Sequence, residues 1–410
     1  MTSLPSSDWP DATAAILADP YRHILSRCRD LGTDGFRTRI LGREAVCLTG
    51  REAARLLYDQ DKIRREGAVP SLIRDVLFGT GGVQGLDGAP HHHRKRMHLK
   101  LLGPDADLDR FVARFDDAFR ATAAQWHGTV EVFDEMKVVL TRSAYGWSGL
   151  PLPTDDAKVT ADRLADLFMH AGPSPVGQIK ARRARRHLER DTVQAIEDLR
   201  AGSFADVDAG RAFPVVALWK DQDGQLLPAH VAAVELLNII RPTVAVSVFM
   251  AFAGLALARH RDAVARVRDH SDWPHAFVQE VRRTAPFFPA TTGIARADLD
   301  WHGETIRAGT RVVLDLYGTN RDARHWQEPD RFDPARFLDW PGDPYTMVPQ
   351  GAGEHARTHR CPGEWLTIRL MERFTTFMDG EIDWRLTDPD VQMDYSSFPA
   401  LPKKGVLISV

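Results

Sequence analysis

The chain has 410 residues, 53 basic against 56 acidic, and its formal net charge of -3 excludes a protein that binds nucleic acid or an anionic membrane through its overall charge. Its composition, 43% hydrophobic and 27% charged, allows a sizeable buried core in a soluble protein. The three cysteines, Cys28, Cys47 and Cys361, are too few and too scattered for a disulfide framework.

The N-terminal segment MTSLPSSDWPDATAAILADP has acidic residues early and lacks the basic and apolar regions of a signal peptide. The uncharged run Thr243 to Ala258 is shorter than the roughly 20 residues that a membrane span needs. We therefore expect a soluble cytoplasmic protein with no membrane partner. Since no linker or internal repeat divides the chain, we expect residues 1–410 to form a single domain.

Helical periodicity runs through most of the chain. From Asp105 to about Leu199, in segments such as DLDRFVARFDDAFRATAAQW, apolar residues recur three and four apart. Further helical patterns span Leu227 to His260 and Asp272 to Thr284. Between Ala297 and Leu316, short alternating segments with turns predict a small sheet. An amphipathic helix, EWLTIRLMERFTTFMDG, follows Cys361, and the terminal GVLISV is strand-like. The predicted fold class is mainly α with a minor β part.

The second of these helical patterns contains an arginine beside a proline, in the segment NIIRPTVAV. A buried guanidinium without a partner is strongly unfavourable, and a proline removes one helical hydrogen bond and clashes with the carbonyl four residues earlier. One interpretation is that a helix ends at Arg241 and another begins with Pro242, which leaves the guanidinium at the surface. The other is that both residues have a function in the interior.

Cys361 stands between a Gly-rich loop and a helix, in VPQGAGEHARTHRCPGEWLTIRLMERF. A sulfur near a helix N-terminus is favoured as a thiolate, the form that binds a metal or attacks an electrophile. The alternative for this residue is a buried free thiol, which is what we expect for Cys28 and Cys47.

Two motifs upstream of the cysteine help to decide between these alternatives. Glu280 and Arg283 in FVQEVRR lie three apart on one helix face and can pair. Arg336 in EPDRFDPARF can join that pair in a buried network. The order E-x-x-R, P-x-R-F and a Gly-rich cysteine loop resembles the cytochrome P450 family, over essentially the whole chain.

The resemblance implies a cytochrome P450 fold, a single haem-thiolate domain in which Cys361 is the axial metal ligand of haem b. Glu280, Arg283 and Arg336 match the structural triad of that family. One departure concerns the cysteine loop, which is longer than usual. It has Glu354 and Arg357 where the family usually has a phenylalanine and a glycine.

Within the family, the Arg241-Pro242 pair resembles the fatty-acid peroxygenases, as do REGAVP, GVQGLDG, VVLDLYG and HRCPGEW. Most cytochromes P450 have an acid followed by an alcohol at this point of the central helix, for delivery of protons. The resemblance implies that Arg241 binds the carboxylate of a long-chain fatty acid, and that this carboxylate replaces the missing acid-base side chain. Pro242 then opens the helix and leaves a carbonyl near Asn238 without its donor. The implied reaction is hydroxylation by hydrogen peroxide at the α carbon, with the β carbon as a further position.

Three basic residues match positions that hold the haem propionates in the subfamily: Arg65, His91 and Lys95. His359 is a further candidate. The stretch HHHRKRMH could otherwise be a solvated basic face or a metal cluster, but zinc is disfavoured because no Cys or His pair at finger spacing accompanies it. We expect the other histidines of the stretch at the surface.

Three residues match the substrate pocket of the subfamily. Gln84 falls where typical hydroxylases have glutamine and decarboxylating members have histidine, so the resemblance favours hydroxylation. Phe78 and Phe288 match positions that hold the first carbons of the substrate, although core packing is the ordinary role of a lone phenylalanine.

Three rival hypotheses remain at this point. A cytochrome P450 monooxygenase would need a reductase, whereas a peroxygenase needs no redox partner. A non-catalytic haem-binding sensor would bind haem without turnover. A helical protein without a cofactor would keep Cys361 as a core thiol. The sequence does not determine the oligomeric state.

Overall fold

Helices make up the larger part of the computed structural model, which describes residues 4–6, 11–154, 156–172, 174–204 and 206–410. The helices in chain order are α1 (Thr13–Ala18), α2 (His23–Leu31), α3 (Arg51–Leu57), α4 (Ser71–Leu77), α5 (Gly88–Leu102), α6 (Asp109–Ala123), α7 (Val132–Ser148), α8 (Ala157–Met169), α9 (Pro175–Arg200), α10 (Ala212–Ala217), α11 (Ala229–Arg259), α12 (Arg261–Ala265), α13 (Trp273–Thr284), α14 (Leu316–Thr319) and α15 (Glu364–Gly380). The fold class expected from the sequence is confirmed.

The strands are short and lie mostly near the two ends of the chain. They are β1 (Gly35–Ile40), β2 (Arg43–Thr49), β3 (Ile63–Arg64), β4 (Thr129–Glu131), β5 (Ala290–Ala295), β6 (Leu299–Trp301), β7 (Glu304–Ile306), β8 (Arg311–Asp315), β9 (Arg385–Leu386), β10 (Met393–Asp394), β11 (Leu401–Pro402) and β12 (Leu407–Ser409). The largest sheet has the order β1-β2-β8-β5-β3.

That five-stranded sheet joins distant parts of the sequence. β2 pairs with β8 in parallel, from Ala45 opposite Arg311 to Thr49 opposite Asp315, and β8 pairs on its other side with β5. All five residues of β8 are buried, as is typical of a central strand. The prediction of a small sheet between Ala297 and Leu316 is confirmed for β6, β7 and β8, but the N-terminal strands of the larger sheet were not predicted.

Helix α11 forms the centre of the fold and packs against α7, α9 and α15. It begins directly after Pro228, a residue that favours a helix start because its φ is fixed and its missing N–H has no helical acceptor. Most of its buried residues are apolar, which is typical of a helix in a large core. The 18-residue window that is apolar enough to cross a membrane is 89% buried inside the protein.

Arg241 and Pro242 both lie within α11, which continues past them to Arg259. The interpretation that one helix ends at Arg241 and another begins at Pro242 is therefore wrong. Arg241 is only 4% exposed, so its guanidinium is in the interior. Close packing of α11 on several neighbouring helices is a physical reason why one lost hydrogen bond does not break it.

The other predicted helices are also found. The stretch from Asp105 to Leu199 forms α6 to α9, interrupted by turns and by β4, while α13 and α15 match the third helical pattern and the helix after the cysteine. Glu280 is fully buried on α13 and accepts hydrogen bonds from Arg283 Nε at 2.6 Å and Arg336 Nε at 3.3 Å. This network fixes α13 against the segment that precedes the cysteine loop.

Candidate active site

A cavity of about 560 Å³ lies between α11 and the cysteine loop. Arg241 and Pro242 line it from α11, and Cys361 lines it from the loop. Most of the remaining wall is apolar and comes from α4, from the segment after it and from the residues that precede β5. A mainly apolar cavity with a few polar groups that point into it is typical of a small-molecule site.

Arg241 brings a positive charge into this apolar space. Its Nη2 donates a hydrogen bond of 3.2 Å to Asn238 Oδ1, but its buried Nε has no hydrogen-bond partner. Within the described residues no carboxylate forms an ion pair with it. Burial, together with the positive charge of the nearby Arg185, lowers the pKa of Arg241 to about 9. A buried cation without an anion is costly, so the cavity is suited to an anionic ligand.

Asn238 connects Arg241 to the opposite wall of the cavity. Its Nδ2 donates to Gln84 Oε1 at 3.1 Å and to the carbonyl oxygen of Phe78 at 2.9 Å. The sequence analysis did not identify this side-chain role. A signal was present, because residues three apart on a helix share a face, and Asn238 precedes Arg241 by three positions.

Two phenylalanines line the cavity, as their positions in the sequence suggested. The ring centroid of Phe78 lies 5.8 Å from Arg241 Cζ. The ring of Phe288 meets that of Phe287 edge to face, with centroids 4.8 Å apart. Both side chains are partly buried, so they border the open space and are not enclosed in the core.

Cys361 lies just before α15 and is held by the preceding loop. Its N–H donates to the carbonyl oxygen of Gln350 at 2.9 Å, and its sulfur lies 3.7 Å from Gln350 Nε2. Burial raises the pKa of the thiol, whereas the N–H of Gly363 and the charge of Lys95 lower it. The helix N-terminus alone therefore does not stabilise the thiolate enough to offset burial. A bound metal ion would provide the additional stabilisation.

The departures in the loop are explained by where the side chains lie. Glu354 and Arg357 are both exposed, and they form a surface ion pair with Arg357 Nε 3.4 Å from Glu354 Oε2. Gln350, which the sequence analysis did not single out, contacts the sulfur instead. Cys28 and Cys47 are buried free cysteines, as expected.

Three basic side chains, those of His91, Lys95 and His359, line the cavity together with Cys361. His91 and Lys95 lie on α5, and the His91 ring stacks on that of His359 with centroids 3.9 Å apart. Arg65 donates through Nη1 to Thr291 Oγ1 at 2.9 Å. One buried donor of this group, Arg65 Nη2, has no hydrogen-bond partner, and His359 Nε2 lies 3.8 Å from Asp87 Oδ1.

This group of residues fits the carboxylates of a haem. Burial lowers the pKa of Lys95 to about 8 and that of His91 to about 2, so an anion would relieve the cost of a charge at Lys95. The Nη2 of Arg65, which lacks a partner, is available to such an anion. The four residues come from three separate segments, and the fold brings three of them, His91, Lys95 and His359, to the cavity that Cys361 lines.

One expectation for the same stretch is wrong. His98 was expected at the surface, but it is only 2% exposed and its Nε2 lies 3.0 Å from Glu235 Oε2. Arg94 Nη1 donates to the other oxygen of Glu235 at 2.7 Å. Glu235 lies on α11, so this pairing attaches α5 to the central helix. These contacts give His98 a structural role, and His98 also lines the cavity.

The chain is similar to known cytochromes P450. The family model "Cytochrome P450" matches residues 256–387. Among solved structures, cytochrome P450SP alpha (CYP152B1) in complex with (R)-ibuprophen is 40% identical, with a TM-score of 0.94 and 98% of both chains covered. Cytochrome P450EX alpha (CYP152N1) with myristic acid is 33% identical, with a TM-score of 0.95 and 100% of this chain and 99% of that chain covered. A variant of cytochrome P450 OleT in complex with arachidonic acid is 30% identical, with a TM-score of 0.94 and coverage of 100% and 98%.

Curated relatives are more distant. "Cytochrome P450 71D181" of Thymus vulgaris is 31% identical over 146 residues, which is 34% of this chain and only 29% of that protein's length. "Abscisic acid 8'-hydroxylase 2" of Oryza sativa subsp. indica is 26% identical and covers 98% of this chain and 84% of its own length.

Proposed function

This chain belongs to the cytochrome P450 family and, within it, to the CYP152 fatty-acid peroxygenases, and on that premise we propose that it hydroxylates long-chain fatty acids with hydrogen peroxide. The oxygen atom is inserted at the α carbon, with the β carbon as a further position. Fatty acid and peroxide give hydroxy acid and water, so the reaction needs no reductase. The protein is expected to act in the cytoplasm, without nucleic-acid, membrane or redox partners.

The buried charge of Arg241 is the observation that carries this proposal. A guanidinium binds a carboxylate through two parallel hydrogen bonds, and Arg241 has a buried Nε without a partner in an apolar cavity. The fatty acid supplies the anion that the described residues around Arg241 do not. Its alkyl chain then lies along the apolar wall, which favours a long-chain acid over a short one.

The reaction needs a group that moves a proton, and the bound carboxylate is the candidate. Held at Arg241, it accepts a proton from hydrogen peroxide and returns a proton to the oxygen that leaves as water. Gln84 and Asn238 line this part of the cavity with neutral amides, which cannot perform that step. Substrate binding therefore completes the catalytic site.

Haem b is the proposed cofactor, and the thiolate of Cys361 would hold its iron. Arg65, His91 and Lys95 are the proposed propionate partners, and His359 is a fourth. When bound, a haem with a thiolate ligand activates peroxide for insertion of oxygen into a C–H bond. The chain's own residues determine which carbon is presented to it.

Anchoring of the carboxylate determines the position of oxidation. With the carboxylate at Arg241, only the first carbons of the acid lie between α11 and the side of the cavity that Cys361 lines. Phe78 and Phe288 border this space and restrict the movement of those carbons. Gln84, whose Oε1 already accepts a hydrogen bond from Asn238, favours hydroxylation over decarboxylation.

The test is product analysis with purified protein, a long-chain fatty acid and hydrogen peroxide, without reductase. We expect the 2-hydroxy acid, with the 3-hydroxy acid as a second product, and no product when peroxide is omitted. A haem protein that gives product only with a reductase and NAD(P)H is a monooxygenase, and one that gives none under either condition is a sensor. A colourless protein that binds no haem would contradict the cofactor assignment itself.

A further inference from the structure

The side chain of Gln350 lies beside the sulfur of Cys361 on the side of α15. Its Nε2 is 3.7 Å from Cys361 Sγ, and its backbone carbonyl accepts the N–H of the same cysteine at 2.9 Å. Two separate contacts thus hold the glutamine next to the thiolate. No other part of the proposed mechanism uses this side chain.

The orientation of the amide is fixed by its other neighbours. Arg282 donates to Gln350 Oε1 through Nε at 3.2 Å and through Nη2 at 2.9 Å. A guanidinium has only donors, so the amide oxygen must face Arg282 and the NH2 group must face away from it. That NH2 group lies 3.1 Å from Thr367 Oγ1 as well as near the sulfur. Thr367 uses its own hydrogen for the carbonyl of Gly363 at 3.0 Å, so its oxygen is free to accept.

Arg282 is itself held rigidly. Its side chain is 1% exposed and forms an ion pair with Glu364, the first residue of α15. Glu364 also accepts hydrogen bonds from Arg360 Nε at 2.7 Å and His355 Nε2 at 2.8 Å. A buried arginine with its charge paired has little freedom to turn, so the Gln350 oxygen has a fixed donor.

We propose that Gln350 is a positioning residue for Cys361: oriented by Arg282, it donates an N–H···S hydrogen bond that withdraws electron density from the thiolate. Hydrogen bonds to a coordinating sulfur weaken its donation to the metal and raise the reduction potential. The inference rests on the proposed function only in that Cys361 carries the haem iron. It does not depend on peroxide or on the fatty acid.

The experiment is spectroelectrochemical titration of the ferric holoenzyme, together with the iron–sulfur stretching frequency. Gln350→Leu removes the donor, so we expect a lower reduction potential and a higher stretching frequency than in the unaltered protein. Gln350→Glu keeps an oxygen for Arg282 but has no N–H for the sulfur, and should shift both quantities in the same direction. Thr367→Val is the matched control, since it removes the other acceptor and leaves the N–H···S contact in place. It should leave both quantities unchanged.

Several outcomes would overturn the proposal. A thiolate-ligated haem with unchanged potential and stretching frequency in both Gln350 variants shows that the contact has no electronic effect. A shift of equal size in Thr367→Val assigns the effect to loop packing. Loss of haem from both Gln350 variants assigns Gln350 to holding the loop. If the unaltered protein lacks a thiolate-ligated haem spectrum, the cofactor assignment fails instead, so the two failures are distinguishable.

Discussion

The central residue of this protein is Arg241, because its charge is placed where the fold does not neutralise it. Most buried arginines here have partners: Arg283 pairs with Glu280, and Arg94 pairs with Glu235. Among the described residues, the only hydrogen-bond acceptor that Arg241 has is the amide oxygen of Asn238. A buried charge that lowers the stability of the folded protein in this way is typical of ligand sites, where an oppositely charged ligand neutralises it.

Replacement of Arg241 tests this role directly. We expect Arg241→Ala to lose peroxide-driven turnover of fatty acids by about 100-fold or more, since it removes both substrate anchor and proton carrier. The haem spectrum should persist, and a short carboxylic acid should partly restore peroxide consumption. The measurement is initial rate together with the optical spectrum.

Arg311 provides a matched control for that experiment. It also lines the cavity, is 8% exposed and has a buried Nε without a partner, but it lies on β8 instead of α11. Arg311→Ala should retain most of the activity. If Arg311→Ala loses turnover and Arg241→Ala does not, the carboxylate is held at Arg311 and the assignment is wrong.

At the scale of elements, helix α11 is stably packed but lacks one backbone hydrogen bond at Pro242. Pro242 lies inside the helix, so the carbonyl of Asn238 lacks the donor that a helix would normally provide. The apolar surroundings of α11 compensate for this defect through packing. The defect itself borders the cavity, which is where an irregular backbone is most often functional.

Pro242→Ala should restore that hydrogen bond. We expect a gain of up to about 3 kcal/mol in the free energy of unfolding, seen as a higher Tm of the holoenzyme, and a lower turnover number because the backbone near Arg241 moves. A variant with unchanged Tm and unchanged turnover would show that the proline is only tolerated.

A buried carboxyl group at the end of β8 also lowers the stability of the folded state. Asp315 is buried, caps α14 by accepting the N–H of Gly318 at 2.7 Å, and leaves Oδ2 without a partner. Burial raises the pKa of its carboxyl from 3.8 to about 7. The unfolded chain loses this proton near pH 4 and the folded chain near pH 7, so the folded state loses stability as pH rises between these values.

Asp315→Asn should remove this pH dependence while keeping an acceptor for Gly318. Each pKa unit corresponds to ~1.4 kcal/mol, so the contribution amounts to a few kcal/mol across the interval. Thermal melts of the unaltered protein and the variant at pH 5 and pH 8 measure it. The variant should gain relative stability at pH 8, and parallel melts at both values would rule out the raised pKa.

At the scale of the whole molecule, buried ion networks connect the helical part to the cysteine loop. Glu280 binds Arg283, Arg336 and the N–H of Asp333 at 2.8 Å. These residues lie on α13 and on the segment that leads to the loop, so the network places the loop relative to α11. Its effect on function is through position, because none of these side chains lines the cavity.

Glu280→Gln should leave Arg283 buried without its counter-charge. We expect a loss of about 3–5 kcal/mol in unfolding free energy and a lower haem content of the purified protein. Glu381→Gln, which breaks a surface pair with Arg120 at 3.4 Å, is the matched control and should cost at most about 1 kcal/mol. Equal effects of the two variants on stability would contradict a structural role for the network.

The sequence by itself determined the helical class, the helical pattern from Leu227 to His260, and the position of Cys361 before a helix. These features are local, because helical periodicity and the residues that start a helix can be recognised within a few turns of the sequence. The roles proposed for Arg65, His91, Lys95, Gln84, Phe78 and Phe288 came from resemblance to a family. All of these residues except Arg65 line one cavity.

Only the tertiary structure decided which distant segments meet. In the sheet, β2 pairs with β8, which lies far from it in the sequence. Beside the sulfur, Gln350 is oriented by Arg282, which is also distant in the sequence. The burial of His98 was missed for the same reason, since its partner Glu235 lies on another helix. Contacts of this kind depend on packing and charge pairing in three dimensions, which leave no local period in the sequence to be recognised.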